Sequence, residues 1–469
     1  MKNKHLLFFI IGMIIWELLI YCLESYINEY LIIFLLSAIS ISFVVLLYLF
    51  LTKKYKKEYF IYIIFIFGIL LRTLYILKTS IYERQHDVLT IDSKTNGHLK
   101  YIYLLFNTHK LPTNNEWQFY HPPFYHFIGA LWLKLNTLIG VDLYKALEGL
   151  QVLSITFSNL IMVISAKIIS KLKIKRLTEM LLNTFIAANP FFILLAGCIN
   201  NDCLLILMQL IVIYLLIKWY KKNNLSSTIL LAISTGLCIM TKLNGIILII
   251  PIMYMFIKKY FEKKKNLFLL IKQFILFIII SMPLGLWYQI RNIILFGNNK
   301  VPRPAKWLYI GNHSLSERYL IPFKDFFKNI YCQVPEDYNI FTYLIKSSVF
   351  DEYKYKGAEI IPILLLIVNT ILIILSIYFI FKYIINKKRH NAIKNMLIIT
   401  WIINIISFLY FNYKYPYNCS MNFRYIANTF IIGSIFLYSE SEKSNAREII
   451  YFITTIFILS SILFYIVII

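Results

Sequence analysis

Apolar runs long enough to cross a bilayer recur almost from end to end of this 469-residue chain. A run of about 18 or more such residues is the mark of a transmembrane helix. They fall near 6–21, 31–51, 59–77, 124–140, 147–167, 178–197, 203–219, 226–241, 245–259, 267–290, 359–381, 396–411, 423–438 and 449–469. By length they predict an all-α polytopic membrane protein with about 13–14 transmembrane helices. Composition agrees: 59% of residues are hydrophobic and only 15% charged, against roughly 25% charged in an ordinary globular chain. A soluble enzyme, a disordered tail and a disulfide scaffold are excluded.

Lys and Arg number 48 against 23 Asp and Glu, a net charge of +25. In a soluble chain that balance points to nucleic acid. Here the basic residues cluster in short links between apolar runs, at 53–57, 167–176, 218–222, 258–265 and 382–394. That is the positive-inside pattern, with an added attraction to anionic lipid. The partner it predicts is the lipid bilayer and not nucleic acid. It sets the links in the cytoplasm and two long polar stretches, 78–120 and 291–357, on the extracytoplasmic side. The expected location is the plasma membrane of a bacterium. The basic N-terminus and the run 6–21 resemble a signal peptide, but no small-residue cleavage site follows and Glu17 interrupts the run. A retained anchor is expected.

The expected organisation is two leading helices over 1–57, a core over 58–290 that includes the outer loop 78–120, a large outer loop over 291–357, and closing helices over 358–469. If every run crosses once, the links 167–176 and 218–222 conflict with an external 78–120 loop. One segment between 121 and 260 must therefore be re-entrant, interfacial or merged with a neighbour. The candidates are 124–140 and the short pair 226–241 and 245–259. No internal repeat is present. Cys332 and Cys419 both fall in predicted outer loops, so a disulfide is open there, beside the alternative of isolated thiols.

All seven aspartates lie in links or loops, five of them (Asp87, Asp92, Asp325, Asp337 and Asp351) in the two long polar stretches. Carboxylates, histidines and aromatics gathered at one face of a membrane protein point to a site there. Asp87 follows the third apolar run by about ten residues, beside Arg84 and His86, which would tune its charge. A carboxylate so held can serve as a general base; the plainer reading is a salt-bridge partner of Arg84. His121-Pro122-Pro123 is a rigid helix start, since proline is tolerated in the first turn.

An acidic residue in a first outer loop, followed by His121-Pro122-Pro123-Phe124, resembles the GT-C superfamily of integral-membrane glycosyltransferases. The likeness is to its protein O-mannosyltransferase and aminoarabinose-transferase branch. Further pieces agree in order: Asn189-Pro190 with Gly197 and Asn200-Asn201-Asp202, then Thr241-Lys242-Leu243-Asn244-Gly245. Arg291-Asn292 with Phe296-Gly297-Asn298 and Arg424-Tyr425 follow. The resemblance spans roughly 59–440. Two features depart from it. Asp87 is followed by Val88 where the mannosyltransferases often carry a second acid, and the two leading helices look like an addition.

The resemblance implies a polyprenyl-phosphate sugar donor and transfer at the extracytoplasmic face, usually with inversion. It assigns Asp87 as base, with Asp92 as the fallback. Lys242, Arg291 and Arg424 are candidates to meet the leaving phosphate, and Arg72 is a similar case. Snorkelling at helix ends is the alternative for each. Asp202 would orient Asp87, bind sugar hydroxyls or cap the helix beginning near Cys203. Arg84, His86, His98, His121 and Tyr425 complete the expected substrate-binding set. No cofactor is required; a divalent metal at His98 and His121 stays open, although their spacing matches no standard zinc site. Glycan, lipid and protein acceptors all remain open. A lipid-linked sugar flippase or transporter is the second class, although transporters favour internal repeats and midplane polar residues. A polysaccharide polymerase or ligase is the third.

Overall fold

A computed structural model of the chain describes residues 3–23, 29–52, 57–262, 267–297, 302–321, 329–357, 359–386 and 390–468. The basic stretch 53–56, Asn298, Asp325 and parts of the links 258–265 and 382–394 lie outside the described residues. Within them the regular structure is helical, with one isolated antiparallel bridge between Tyr309 and Tyr417.

The leading helices α1 (Asn3–Leu23) and α2 (Glu29–Thr52) pack on α3 (Lys57–Ile76). The Trp16 indole N–H reaches the Thr73 hydroxyl at 3.1 Å, and Glu17 accepts from the Asn159 amide at 2.8 Å. The acid that interrupts the first run is thus satisfied inside the bundle, as a buried polar group must be. Then come α4 (His98–Thr108), α5 (Phe124–Leu138), α6 (Leu143–Glu148), α7 (Gln151–Ile169), α8 (Arg176–Ala187), α9 (Pro190–Leu195), α10 (Asn201–Lys222), α11 (Leu225–Thr241), α12 (Ile249–Glu262) and α13 (Leu267–Phe296). A loop region carries α14 (Leu315–Tyr319) and α15 (Ile340–Phe350). The chain closes with α16 (Ile360–Ile385), α17 (Ala392–Lys414), α18 (Asn428–Ser441) and α19 (Arg447–Ile468).

Among the described residues, ten stretches are long and apolar enough to cross a membrane. The shorter α11, α18 and the broken pair α8–α9 complete an alternation between two ends of the bundle. At one end the Gln85 side chain bonds Ile199 N and Gly197 O, Lys242 meets Asp202, and Ile310 N donates to Pro416 O. At the other, Glu442 accepts from Lys175 N and Lys394 meets Glu440. The described residues of the basic links 167–176 and 218–222 gather at this second end.

The segment that does not cross is 124–138. Both ends of α5 meet the same end of the bundle: His121 precedes it beside the site described below, and Asn136 near its far end accepts from Tyr21 Oη at 3.1 Å. Its outer face exposes Phe127, Leu131, Leu135 and Leu138, the pattern of a helix lying along an interface.

The run 178–197 is broken because Pro190 has no N–H and starts α9 afresh. The orphaned carbonyl of Ala187 accepts from Arg72 at 3.0 Å, and the Arg72 Nε donates to Ser158 Oγ at 2.8 Å. Arg72 is therefore a buried strut. Helices α11 and α13 approach closely through glycines. A Cβ on Gly236 would lie 2.9 Å from Leu284 Cβ, and one on Gly285 would lie 2.9 Å from Ile239 Cβ. Cys332 and Cys419 are both free thiols, so the disulfide left open by the sequence does not form.

Candidate active site

Asp87 is set by backbone geometry before side chains enter. It takes φ 55°, and Arg84 and Leu89 each take φ 52°, in the left-handed region that non-glycine residues seldom use. The start of α4 holds this kinked segment. His98 N donates to Asp87 O at 2.9 Å and Leu99 N to Val88 O at 3.2 Å, so two otherwise unpaired helix N–H groups are satisfied. Gly97 makes the approach possible, since a Cβ there would sit 2.3 Å from Val88 O and 2.5 Å from Asp87 O. The carboxylate then receives the Trp117 indole N–H on Oδ1 at 3.0 Å, while Oδ2 lies 3.8 Å from Arg424 Nη2. The Asp87 side chain remains 32% exposed.

Three buried residues face it. Asp202 sits in the first turn of α10, where Asn200 is the cap, and Lys242 caps the C-terminal end of α11. Their side chains meet at 2.5 Å, and Arg424 Nε stands 3.7 Å from the second Asp202 oxygen. Arg424 thus approaches two carboxylates without a hydrogen bond to either, and its buried Nε donates to no described residue. Such a group is unusual in a folded protein and marks a place where a ligand can supply the acceptor. The Tyr425 ring lies beneath both cations, 5.0 Å from Lys242 Nζ and 5.2 Å from Arg424 Cζ.

These groups line one cavity of about 530 Å³. Asp87, Asp202, Lys242, Arg424, Tyr425, His98 and His121 border it. His98 Nδ1 lies 2.9 Å from His126 Nε2, and the His98 and His121 rings stack at 6.0 Å. Burial first, then the neighbouring imidazoles and the Lys242 and Arg424 cations, hold His98 and His121 well below the ordinary histidine range. Both enter the cavity as neutral imidazoles. Among the described residues no group of three or more His, Cys, Asp and Glu is arranged to hold a metal ion.

Four expected site residues do not line the cavity. Arg84 stacks between Tyr75 and Tyr355, each ring 5.6 Å from its guanidinium. Asp92 is exposed in the loop. Arg291 donates to Pro112 O at 2.8 Å. His86 is buried against Asp351 and Glu352. The structure adds Trp117, Arg303 and Lys414, which border the cavity with Tyr415 and Tyr417. No spacing singled these out; the aromatic density of 410–417 around Lys414 was the one available signal.

Residues 120–287 match the family model described as dolichyl-phosphate-mannose-protein mannosyltransferase. The chain thus resembles the GT-C membrane glycosyltransferases, the class its motifs had suggested. Within that class the matched family is the mannosyltransferase branch, over a stretch that holds His121, Asp202 and Lys242 but neither Asp87 nor Arg424. No curated protein matches the chain. Among solved structures it is similar to the apo oligosaccharyltransferase of Archaeoglobus fulgidus, at 13% identity and a TM-score of 0.46 over 87% of this chain. It is also similar to apo ArnT from Cupriavidus metallidurans, at 13% identity and a TM-score of 0.33 over 78% of this chain. The chain spans 56% of the length of the first and 71% of the second.

Proposed function

We propose that the chain is a membrane glycosyltransferase that moves a sugar from a polyprenyl-phosphate donor to an acceptor hydroxyl or amine, with inversion, at the extracytoplasmic face. The observation that supports this most is a partly exposed carboxylate and a buried, under-used guanidinium on one cavity. Asp87 takes the acceptor proton as the acceptor atom attacks the anomeric carbon. The bond from that carbon to the phosphate oxygen breaks, and its electron pair leaves with the polyprenyl phosphate. Arg424 and Lys242 stabilise that departing charge. Trp117, Tyr120 and Tyr417 offer ring faces for sugar. The matched family is named for a lipid-phosphate-linked mannose, which supports the donor class. The reaction needs no cofactor as written. The basic links at the far end of the bundle support an extracytoplasmic site in a bacterial plasma membrane. Helices α1 and α2 are an addition to the catalytic body over 58–290, with 291–357 as the large outer loop and 358–469 closing the bundle.

The test supplies purified protein in proteoliposomes with a panel of polyprenyl-phosphate sugars. Release or transfer of one sugar is expected. Asp87→Asn should lower it by about 10²–10⁴-fold while donor binding persists, because binding rests on the cations. Donor movement across the bilayer without a new glycosidic bond would replace this reading by a flippase or transporter.

A further inference from the structure

His86 precedes the proposed base in sequence yet does not border the cavity. It is buried, and it meets two adjacent carboxylates from the segment before α16. Its Nε2 lies 2.8 Å from Asp351 Oδ2 and its Nδ1 3.2 Å from Glu352 Oε2. A neutral imidazole carries one N–H and would turn a lone pair toward one of these oxygens. Only the imidazolium donates to both. The same carboxylates are engaged from a third direction. Asn422 Nδ2 donates to Asp351 Oδ1 at 2.6 Å and to Glu352 Oε1 at 3.0 Å, and Asn422 Oδ1 accepts from Arg424 N at 2.8 Å.

Two acids thus grip the residue beside Asp87 on one side and the backbone of Arg424 on the other. We propose that His86, as an imidazolium bound by Asp351 and Glu352, is a positioning residue that sets Arg424 against Asp87 across the cavity. This rests on the reading of Asp87 as base and Arg424 as phosphate partner. The charged and titratable groups around the ring are Asp351, Glu352 and Tyr353 before α16, Arg424 before α18, and Asp202 on α10. Burial and Arg424 push the imidazole down, but Asp351 and Glu352 outweigh them, and His86 titrates at about 9. Burial raises Glu352, and His86, Arg424 and Asn422 bring it down to about 2. Once His86 loses its proton, Arg424 is a cation that still acts on Glu352. It is drawn toward the two acids and away from the cavity.

The test measures affinity of the full chain in detergent for decaprenyl phosphate between pH 7 and 10. Wild type should weaken by about tenfold, the scale of a lost charge-assisted contact, as pH rises through about 9. His86→Lys keeps the charge and should hold its affinity to higher pH. His86→Gln should bind about tenfold more weakly at pH 7 and show no such limb. Wild-type affinity and an unchanged alkaline limb in His86→Gln would overturn the assignment, as would a limb in His86→Lys coinciding with that of wild type. If His86→Gln does not fold, the wild type and His86→Lys decide between them. Failure of wild type to bind decaprenyl phosphate at any pH would sink the proposed function instead. Thermal stability then judges His86. Its contribution is fully present below about 6.5 and is lost as pH rises through about 9. A wild-type stability curve identical to that of His86→Lys would remove it.

Discussion

At the scale of single residues, a missing methyl group holds the proposed base in place. With any Cβ at Gly97, the Asp87 and Val88 carbonyls must leave the start of α4. Gly97→Ala should therefore insert and fold normally but transfer sugar about 10²-fold more slowly, the usual cost of a misplacement of about 1 Å. Initial rates beside Asp87→Asn check this; an undiminished rate would show that the turn tolerates the shift. Asp87, His121, Asp202, Lys242 and Arg424 were each legible as parts of motifs, and the resemblance put them in one site, but the pairing of Asp202 with Lys242 was not legible. Asp202 and Lys242 are 40 positions apart and join only because α10 and α11 pair. Sequence proximity also misled. Arg84 stands three residues from Asp87, yet its own left-handed backbone turns it into a slot between Tyr75 and Tyr355. Arg303 borders the cavity from a loop and Lys414 from the last turn of α17, with no motif to mark either.

At the scale of elements, hydropathy told where the chain is apolar but not which runs cross. The 124–140 run reads like its neighbours. What distinguishes α5 is the return of both its ends to one side of the bundle, which needs three dimensions. The break at Asn189-Pro190 was visible as a motif, whereas its repair by Arg72 from α3 was not. Lys242 is placed by α11, and α11 by its glycine contact with α13. Gly236→Leu would force Leu284 and the two helices apart. Overpacking of this kind costs about 1–3 kcal/mol, which should appear as a lowered unfolding temperature in detergent and, through Lys242, a weaker hold on donor. An unchanged unfolding temperature would mean that the helix pair has slack the structure does not show.

At the scale of the whole molecule, the polar loops collect at one end and the described basic links at the other. Single cysteines placed at Thr95 and at Lys173 should report opposite sides in intact cells: a membrane-impermeant thiol reagent labels the first and spares the second. The reverse pattern would invert the sidedness and the site with it. The fold class was legible because an apolar run of bilayer length admits little else. The conflict among the links dissolves once α5 lies along the surface. The same charge segregation also couples the molecule to the cell's energy supply. A membrane potential of about 100 mV is worth about 2.3 kcal/mol for each elementary charge carried across it. Lys167, Lys171, Lys173, Lys175, Lys218, Lys221 and Lys222 belong to the links at one end; with that end in the cytoplasm, as proposed, turning the protein over would drive all of them against that field. Under the proposed sidedness in an energised plasma membrane, the orientation acquired at insertion is one that thermal motion does not reverse.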